Sequence, residues 1–304
     1  MATTIKKGNA DMSAQKIGRY TVDRVTELEF PAFIATKFFP TVTPEMVEEA
    51  RRALPDRIDA TGRIIMSFHS FVLRTEHHTI IIDTCCSKSR PTREQFDRGK
   101  RDYLMELTRL SISPEDVTHV MCAHLHWDHV GWNTRRVNGE WLPTFPNAKY
   151  VMAKREYEYW DGFYARKKST MENVHAMAFE DSVLPVVRAE RAVLVEDDFE
   201  LDKGVTLEPC HGHTPGHVVI NVVSDAEKGV FIGDAVHHPM QLLFPELSSW
   251  ADSDMGISCV SRQGLLEKHA DTNNLIMPAH FSTPTCGLIK RVGGRFSFEF
   301  VKGS

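Results

Sequence analysis

The sequence has no run of about 18 apolar residues, the length a helix needs to cross a bilayer, so no membrane span is expected. It has no Cys-x-x-Cys pair. The six cysteines are Cys85, Cys86, Cys122, Cys210, Cys259 and Cys286. Adjacent Cys85 and Cys86 make a poor start for a disulfide framework, so reduced, buried thiols in a cytoplasmic protein are the expectation. The opening MATTIKKGNADMSAQK has no apolar segment of the secretory kind, which agrees with that compartment. A basic stripe is also missing. The net charge is −5, and Lys and Arg are scattered apart from small clusters such as Arg166-Lys167-Lys168, which argues against a nucleic-acid partner. No Gly-x-Ser-x-Gly elbow offers a serine nucleophile. No Pro/Gly/Ser-rich linker and no short repeat divides the chain. With 304 residues, 42% hydrophobic and 25% charged, the composition is that of an ordinary globular protein. The expectation is a polar, flexible arm over residues 1–17 and one domain over 18–304, large enough to hold a rigid site without staples.

What is present is a regular alternation of elements. TPEMVEEARRAL (43–54) has Thr43 as N-cap, Pro44 in the first helical position and acids in the first turn, which predicts a helix. RIIMSFHSFVLRT (63–75) and HTIIIDT (78–84) are rich in β-branched and aromatic residues and predict paired strands around a tight turn, with His77 and His78 as solvated turn residues. Helical spacing covers 94–110, a short buried strand 118–122, another strand 148–153, and a helical stretch with many aromatics 154–182. His119 inside its strand and His175 inside the aromatic stretch are expected to be structural or surface residues. In the second half, strands are expected at 192–196, 205–210, 217–223, 229–233 and 274–278, with a helix at 261–270. Strand-rich segments alternating with helices in both halves fit two sheets faced by helices.

The densest chemistry lies in HLHWDH, His124 to His129. Alternate residues of an extended chain point the same way, so His124 and His126 at a strand's end present two imidazoles to one side. Asp128 and His129 arrive as the chain turns and can reach a second ion nearby. A closed structural zinc site would usually complete its shell with cysteine, and Cys122 points away by strand alternation. Three more segments end apolar strands or lead into them with metal-type donors: PCHGHTPGHVVI with His211, His213 and His217, GVFIGDAVHH with Asp234, and NLIMPAHF with His280.

With these segments in view, the chain resembles the metallo-β-lactamase superfamily. His-x-His-x-Asp-His is that superfamily's signature, and GHTPGH, GD after an apolar strand and a late PAH follow in the family's order. The likeness runs from about residue 20 to 300. It implies an α/β fold, an αββα four-layer sandwich with two divalent metal ions, zinc by default, at one edge between the sheets. Carried over, it gives His124, His126 and His213 to the first metal and Asp128, His129 and His280 to the second, with Asp234 bridging them. His213 is preferred to His217 because the family's ligand is the first histidine of GHTPGH; His217 is then a supporting or packing residue. His211 has no assigned role. Asp83 in IIIDT matches a hydrogen-bonding position near the site, and Cys85 stands where the family usually has glycine.

Within the superfamily, HLHWDHVGWN, PTFPNAKY and GDAVHHPMQ are similar to the branch of lactonases and of organophosphate or aryl-ester hydrolases such as methyl-parathion hydrolase. Homoserine-lactone hydrolases carry a tyrosine three positions beyond the bridging aspartate, and this chain has His237 there. Two cations sharing one water would depress its pKa and make it a nucleophile. The resemblance therefore implies a metal-dependent hydrolase of lactones or of carboxylic or aryl esters, with Asp128, Asp234 and His237 as the catalytic side chains and a small molecule as substrate. A thioesterase, phosphotriesterase, hydrolytic dehalogenase or, further off, a redox di-iron protein would use a similar site. A homodimer is the expectation by resemblance. Trp127, Trp132, Phe281 and the aromatic helix are candidates for the substrate wall, with Trp127 and Phe281 preferred.

Overall fold

The structure is a computed structural model, and it describes residues 14–87, 101–167 and 173–302. The first half builds one seven-stranded sheet. Its strands are β1 (Gln15–Ile17), β2 (Tyr20–Ile34), β3 (Arg63–Arg74), β4 (Thr79–Ile82), β5 (His119–Met121), β8 (Lys149–Ala153) and β9 (Ala192–Val195), in that spatial order. β6 (Thr134–Val137) and β7 (Glu140–Pro143) form a separate hairpin. The second half builds the other seven-stranded sheet from β10 (Glu200–Asp202), β11 (Val205–Pro209), β12 (Val218–Ser224), β13 (Glu227–Gly233), β14 (Leu275–Pro278), β15 (Gly287–Val292) and β16 (Arg295–Phe300), in chain order. The helices are α1 (Ala35–Phe38), α2 (Pro44–Ala53), α3 (Tyr103–Arg109), α4 (Lys154–Lys167), α5 (Val174–Ala178), α6 (Leu184–Arg188), α7 (Met240–Leu243) and α8 (Met255–His269). No helix among the described residues is long and apolar enough to cross a membrane.

Strand alternation sorts the core into layers. In β4, Ile80 and Ile82 join Phe71, Leu73, Met121, Val218, Ile220, Phe231 and Met277 between the two sheets, while Ile81 joins Val72, Val120, Tyr150 and Met152 on the outer face of the first sheet. That outer face is covered by Tyr103 and Leu107 of α3, Trp160 of α4 and Phe179. On the far side, Val219, Val230, Ile232 and Ile276 of the second sheet pack on Leu265 and Leu266 of α8. Helix, sheet, sheet, helix is the expected four-layer order. Each fully buried aliphatic in these layers contributes roughly 1.5–3 kcal/mol relative to exposure.

The expected helix at 43–54 is α2, with the Thr43 side chain accepting from the Met46 amide. The expected pair of strands is β3 and β4, joined where Thr75 N donates to the His78 carbonyl. Part of the helical spacing at 94–110 lies outside the described residues; α3 begins at Tyr103, capped by Asp102. The helical stretch expected at 154–182 contains more than one helix: α4 runs to Lys167, 168–172 lie outside the described residues, and α5 starts behind an Asn173 cap. The helix expected from 261 starts earlier, at Met255, because the Asp254 side chain accepts from Ile257 N. The arm expected over 1–17 falls mostly outside the described residues, but its last residues form β1, with Ile17 in the core. β2 is a strand that the residue pattern hides. Its charges sit at Asp23, Arg24, Glu27 and Glu29, and tertiary partners satisfy them: Asp23 pairs with Arg74, and buried Glu27 accepts from Cys86 N at 2.9 Å.

The topology explains why distant segments meet. β4 and β5 run parallel in one sheet, and β13 and β14 run parallel in the other. β12 is antiparallel to β13, so the turn leading into β12 lies beside the end of β13. The residues after β4, β5, β13 and β14 and those before β12 therefore gather at one edge of the sandwich.

Candidate metal centre and its pocket

Two donor groups lie at that edge. Atoms of His124, His126, His213 and Asp234 lie within 4.8 Å of one another, as do those of Asp128, His129 and His280. In the first group, His213 Nε2 is 3.1 Å from His124 Nε2, 2.9 Å from His126 Nδ1 and 3.2 Å from Asp234 Oδ2. In the second, His129 Nε2 is 3.3 Å from His280 Nε2, and His280 Nε2 is 3.6 Å from Asp128 Oδ2. Asp234 joins the groups. Its Oδ1 lies 3.1 Å from His280 Nε2 and 3.3 Å from His129 Nε2, while Oδ2 faces His213. All seven expected ligand residues thus come together, and Asp234 has one oxygen for each group.

The chemistry of these donors fits divalent cations. Asp234 Oδ1 is buried and makes no hydrogen bond among the described residues, a costly state for a carboxylate oxygen unless a cation meets it. Burial, reinforced by neighbouring imidazoles, holds His124 and His126 well below the ordinary histidine pKa, which leaves them neutral with a lone pair free for a metal. Burial also lowers the pKa of His129, but the carboxylates of Asp234, Asp83 and Asp128 outweigh it and raise the value well above normal. Carboxylates that favour a proton there favour a metal cation for the same reason. Burial would raise the Asp234 pKa, yet His280, His129, His237 and His213 hold it well below the carboxylate range.

Outer partners orient the rings. Asp83 Oδ2 is 2.9 Å from His129 Nδ1, and Asp83 Oδ1 accepts from Ala123 N at 2.8 Å, the hydrogen-bonding role expected of it. Its neighbour Cys85 adopts φ +52°, a left-handed conformation that glycine would take without strain. The His280 Nδ1–H donates to the Ser67 carbonyl at 3.0 Å. His213 Nδ1 meets Asp252 Oδ1 at 2.8 Å, a contact that no sequence signal announces. His217 is a supporting residue: its Nδ1–H donates to the Cys210 carbonyl, its Nε2 accepts from Asp234 N at 3.0 Å, and burial depresses its pKa to about 3. His211 turns away to Asp197 at 3.0 Å.

Glu156, at the start of α4, links the two ligand loops. One carboxylate oxygen accepts from Leu125 N at 3.0 Å and Trp160 Nε1 at 2.7 Å, and the other accepts from Gly216 N at 3.0 Å. Gly216 is needed for this approach, since a Cβ there would sit 2.3 Å from Glu156 N. Desolvation raises the Glu156 pKa against these hydrogen bonds.

The donor groups form the floor of a cavity of about 280 Å³, walled by Phe33, Phe38, Met66, Phe68, Trp127 and Trp250. Its described lining contains no Lys or Arg. Trp127 is the wall residue anticipated above. Phe281 is not: it is fully buried in the second sheet's outer core, 5.1 Å from Phe298, because the chain after His280 turns inward. Trp132 also lies elsewhere, with Nε1 donating to Glu27 and its ring stacked on Tyr103 at 5.3 Å. His175, expected to be a surface or packing residue, instead lines the cavity, its ring 4.2 Å from that of His126. α5 starts afresh from an extended Asn173 and lies over the site, and helical spacing alone carries no sign of that. His237 is buried in the same wall, with Nε2 3.3 Å from Asp234 Oδ2.

An N-acyl homoserine lactonase of a Bacillus species is 23% identical over 206 residues, covering 63% of this chain and 73% of the relative. The AttM N-acyl homoserine lactonase of Azorhizobium caulinodans is 37% identical over 62 residues, covering 20% of each chain. The solved hydrolase AbOPH of the beta-lactamase superfamily superposes with a TM-score of 0.82 at 22% identity, over 97% of this chain and 99% of that one. AidC, described as a dizinc quorum-quenching lactonase, superposes with a TM-score of 0.78 at 22% identity, over 96% and 99%. The family model for the metallo-beta-lactamase superfamily matches residues 69–293, and the chain belongs to that superfamily.

Proposed function

We propose that this protein is a dinuclear metal-dependent hydrolase that opens lactones or cleaves carboxylic or aryl esters, working as a single domain over residues 18–304. The observation that carries the proposal is the Asp234 carboxylate, which offers one oxygen to each of two histidine-rich donor groups. His124, His126, His213 and Asp234 would hold one ion, and Asp128, His129, His280 and Asp234 the other. Histidine with carboxylate suits zinc. The lactonase names of the Bacillus relatives and the dizinc lactonase description of AidC support that choice.

When bound, the paired ions supply Lewis acidity and an activated water. The chain's own residues do the rest. Asp128, at the pocket floor, accepts the proton released on attack and passes it to the leaving oxygen. His237 is held below its ordinary pKa by burial, so it meets the substrate as a neutral imidazole. An N–H from that ring donates to the substrate oxygen, from the position where homoserine-lactone hydrolases carry a tyrosine. The aromatic wall excludes water and receives the apolar part of a neutral substrate.

The six cysteines, none of them in a disulfide, fit a reducing cytoplasm, and self-association into a homodimer is the expected assembly in solution. A panel of lactones, aryl esters, phosphotriesters, thioesters and halogenated aromatics, run beside metal analysis, tests the proposal. Two ions per chain with turnover of lactones or esters supports it. One ion or none, or turnover confined to thioesters, phosphotriesters or halides, replaces it.

A further inference from the structure

Asp252 sits in a turn that does two things at once. Its Oδ1 meets His213 Nδ1 at 2.8 Å and its side chain is fully buried. Its Oδ2 accepts from Ser249 N at 2.9 Å, which closes the turn on itself. The turn is fastened to the His213 loop by two backbone bonds, Ser253 N to the His213 carbonyl at 2.8 Å and Asp254 N to the Gly212 carbonyl at 2.9 Å. Just before these fastenings, Trp250 and Ala251 project into the pocket wall. The Trp250 ring lies edge-on to Phe33 at 6.2 Å and to Phe38 at 6.0 Å, and its backbone N–H donates to the Phe38 carbonyl at 3.0 Å. Trp250 remains 53% exposed, an unusual position for a tryptophan with no role at the surface.

The outer partners of two other ligands come from the protein's interior. His129 is oriented by Asp83 after β4, and His280 by the Ser67 carbonyl of β3. Asp252 differs in that its own turn carries Trp250 and Ala251 into the pocket wall. A carboxylate that accepts Nδ1–H fixes both the tautomer and the plane of the ring, which leaves the Nε2 lone pair aimed at the metal. The aromatic wall and the His213 corner of the first donor group therefore share one short turn.

We propose that the 249–252 turn is a positioning and specificity device, in which Asp252 sets the His213 ring for the first ion and Trp250 receives an aromatic or other flat apolar group of the substrate. This rests on the metal-dependent reading above. Atoms of His213, His237 and Asp252 also lie within 4.8 Å of one another, a grouping that could hold a further ion. The 2.8 Å contact favours a hydrogen bond instead, because an ion there would require His213 to give up its Nδ1 proton.

The test uses the full chain with the variants D252A, D252N and W250A, read by zinc competition titration, imidazole 15N NMR and kinetics on an aryl ester. In the wild type, His213 should show a protonated, strongly hydrogen-bonded Nδ1 with or without zinc. D252A should lose that signature and weaken the first ion roughly 10- to 100-fold, with kcat reduced more than KM. D252N keeps an acceptor for Nδ1–H, so it should retain the tautomer and lose only a several-fold part of the affinity. W250A should raise KM for the aryl ester roughly tenfold while zinc affinity stays within about twofold. Unchanged zinc affinity and an unchanged His213 signature in D252A would overturn the proposal, as would a third bound ion lost with Asp252. If D252A fails to fold, D252N decides: wild-type behaviour in every readout refutes the positioning role. Failure of the wild type to bind two ions would instead remove the metal-dependent reading itself.

Discussion

Replacing Gly216 with alanine should damage the protein at one identifiable point. The new Cβ would lie 2.3 Å from Glu156 N, 2.5 Å from its Cα and 2.7 Å from its Cβ, where ordinary contact begins near 3.4 Å. The obstructing atoms are mostly backbone, so no side chain can rotate away. About 1 Å of space must open between the 213–217 turn and the start of α4, and overpacking of this kind costs roughly 1–3 kcal/mol. Opening that gap also strains the Gly216 N–Glu156 bond, which ties the His213 turn to the loop of His124 and His126 through Leu125 N. Metal–ligand distances tolerate only about 0.2 Å, so a shift near 1 Å should weaken the first ion and cut hydrolysis roughly 100-fold. Urea unfolding, zinc titration and turnover measured together check this. The control is Gly264 on α8, where an added Cβ meets nothing within 4 Å. Alanine there should stabilise the protein by about 0.5–1 kcal/mol through helix propensity. A G216A variant with stability within about 0.5 kcal/mol of wild type and normal zinc binding would refute the steric argument.

H280A should lose the second ion and keep the first, whereas H124A should lose the first; elemental analysis of each variant distinguishes the two outcomes. Stripping both ions with a chelator should lower stability by about 4 kcal/mol per site, about 8 kcal/mol in all, if free zinc had stood near 1,000 times the Kd of each site, read as a fall in Tm. Acid should destabilise the fold partly through His238, whose pKa burial lowers to about 3 and whose Nε2–H donates to the Arg57 carbonyl at 3.0 Å. An unfolded chain takes up that proton near pH 6.5, so the contribution is complete above pH 6.5 and declines as pH falls toward 3. H238Q should flatten the stability-against-pH curve across that window by an amount on the order of a few kcal/mol at its acid end. C85G relieves a left-handed backbone worth about 1 kcal/mol but gives up a buried thiol near Ser70 Oγ at 3.3 Å, so denaturation should show a net change within about 1 kcal/mol.

The sequence by itself determined the donors and most of the strands that carry them. Metal chemistry restricts the residue types, and the ends of apolar strands restrict where they stand, so His124, His126, Asp128, His129, Asp234, His280 and the histidines of HGHTPGH stood out as candidates without coordinates, and the resemblance to the metallo-β-lactamase superfamily chose His213 among the last. Those same rules are local. They see period-2 apolar runs such as Ile80–Ile82, but they miss β2, whose buried charges acquire sense only from Arg74 and from backbone amides far along the chain. Only the tertiary structure decided what surrounds the donors. Asp252 is 39 residues from the histidine it orients, Glu156 is 31 residues from one ligand loop and 60 from the other, and His175 enters the pocket because α4 and α5 are separate helices. Phe281 leaves it because the chain bends into the core. Donor identity is a property of a side chain, whereas pocket shape and ring orientation are properties of packing between segments, and nothing in the spacing of residues along the chain encodes them.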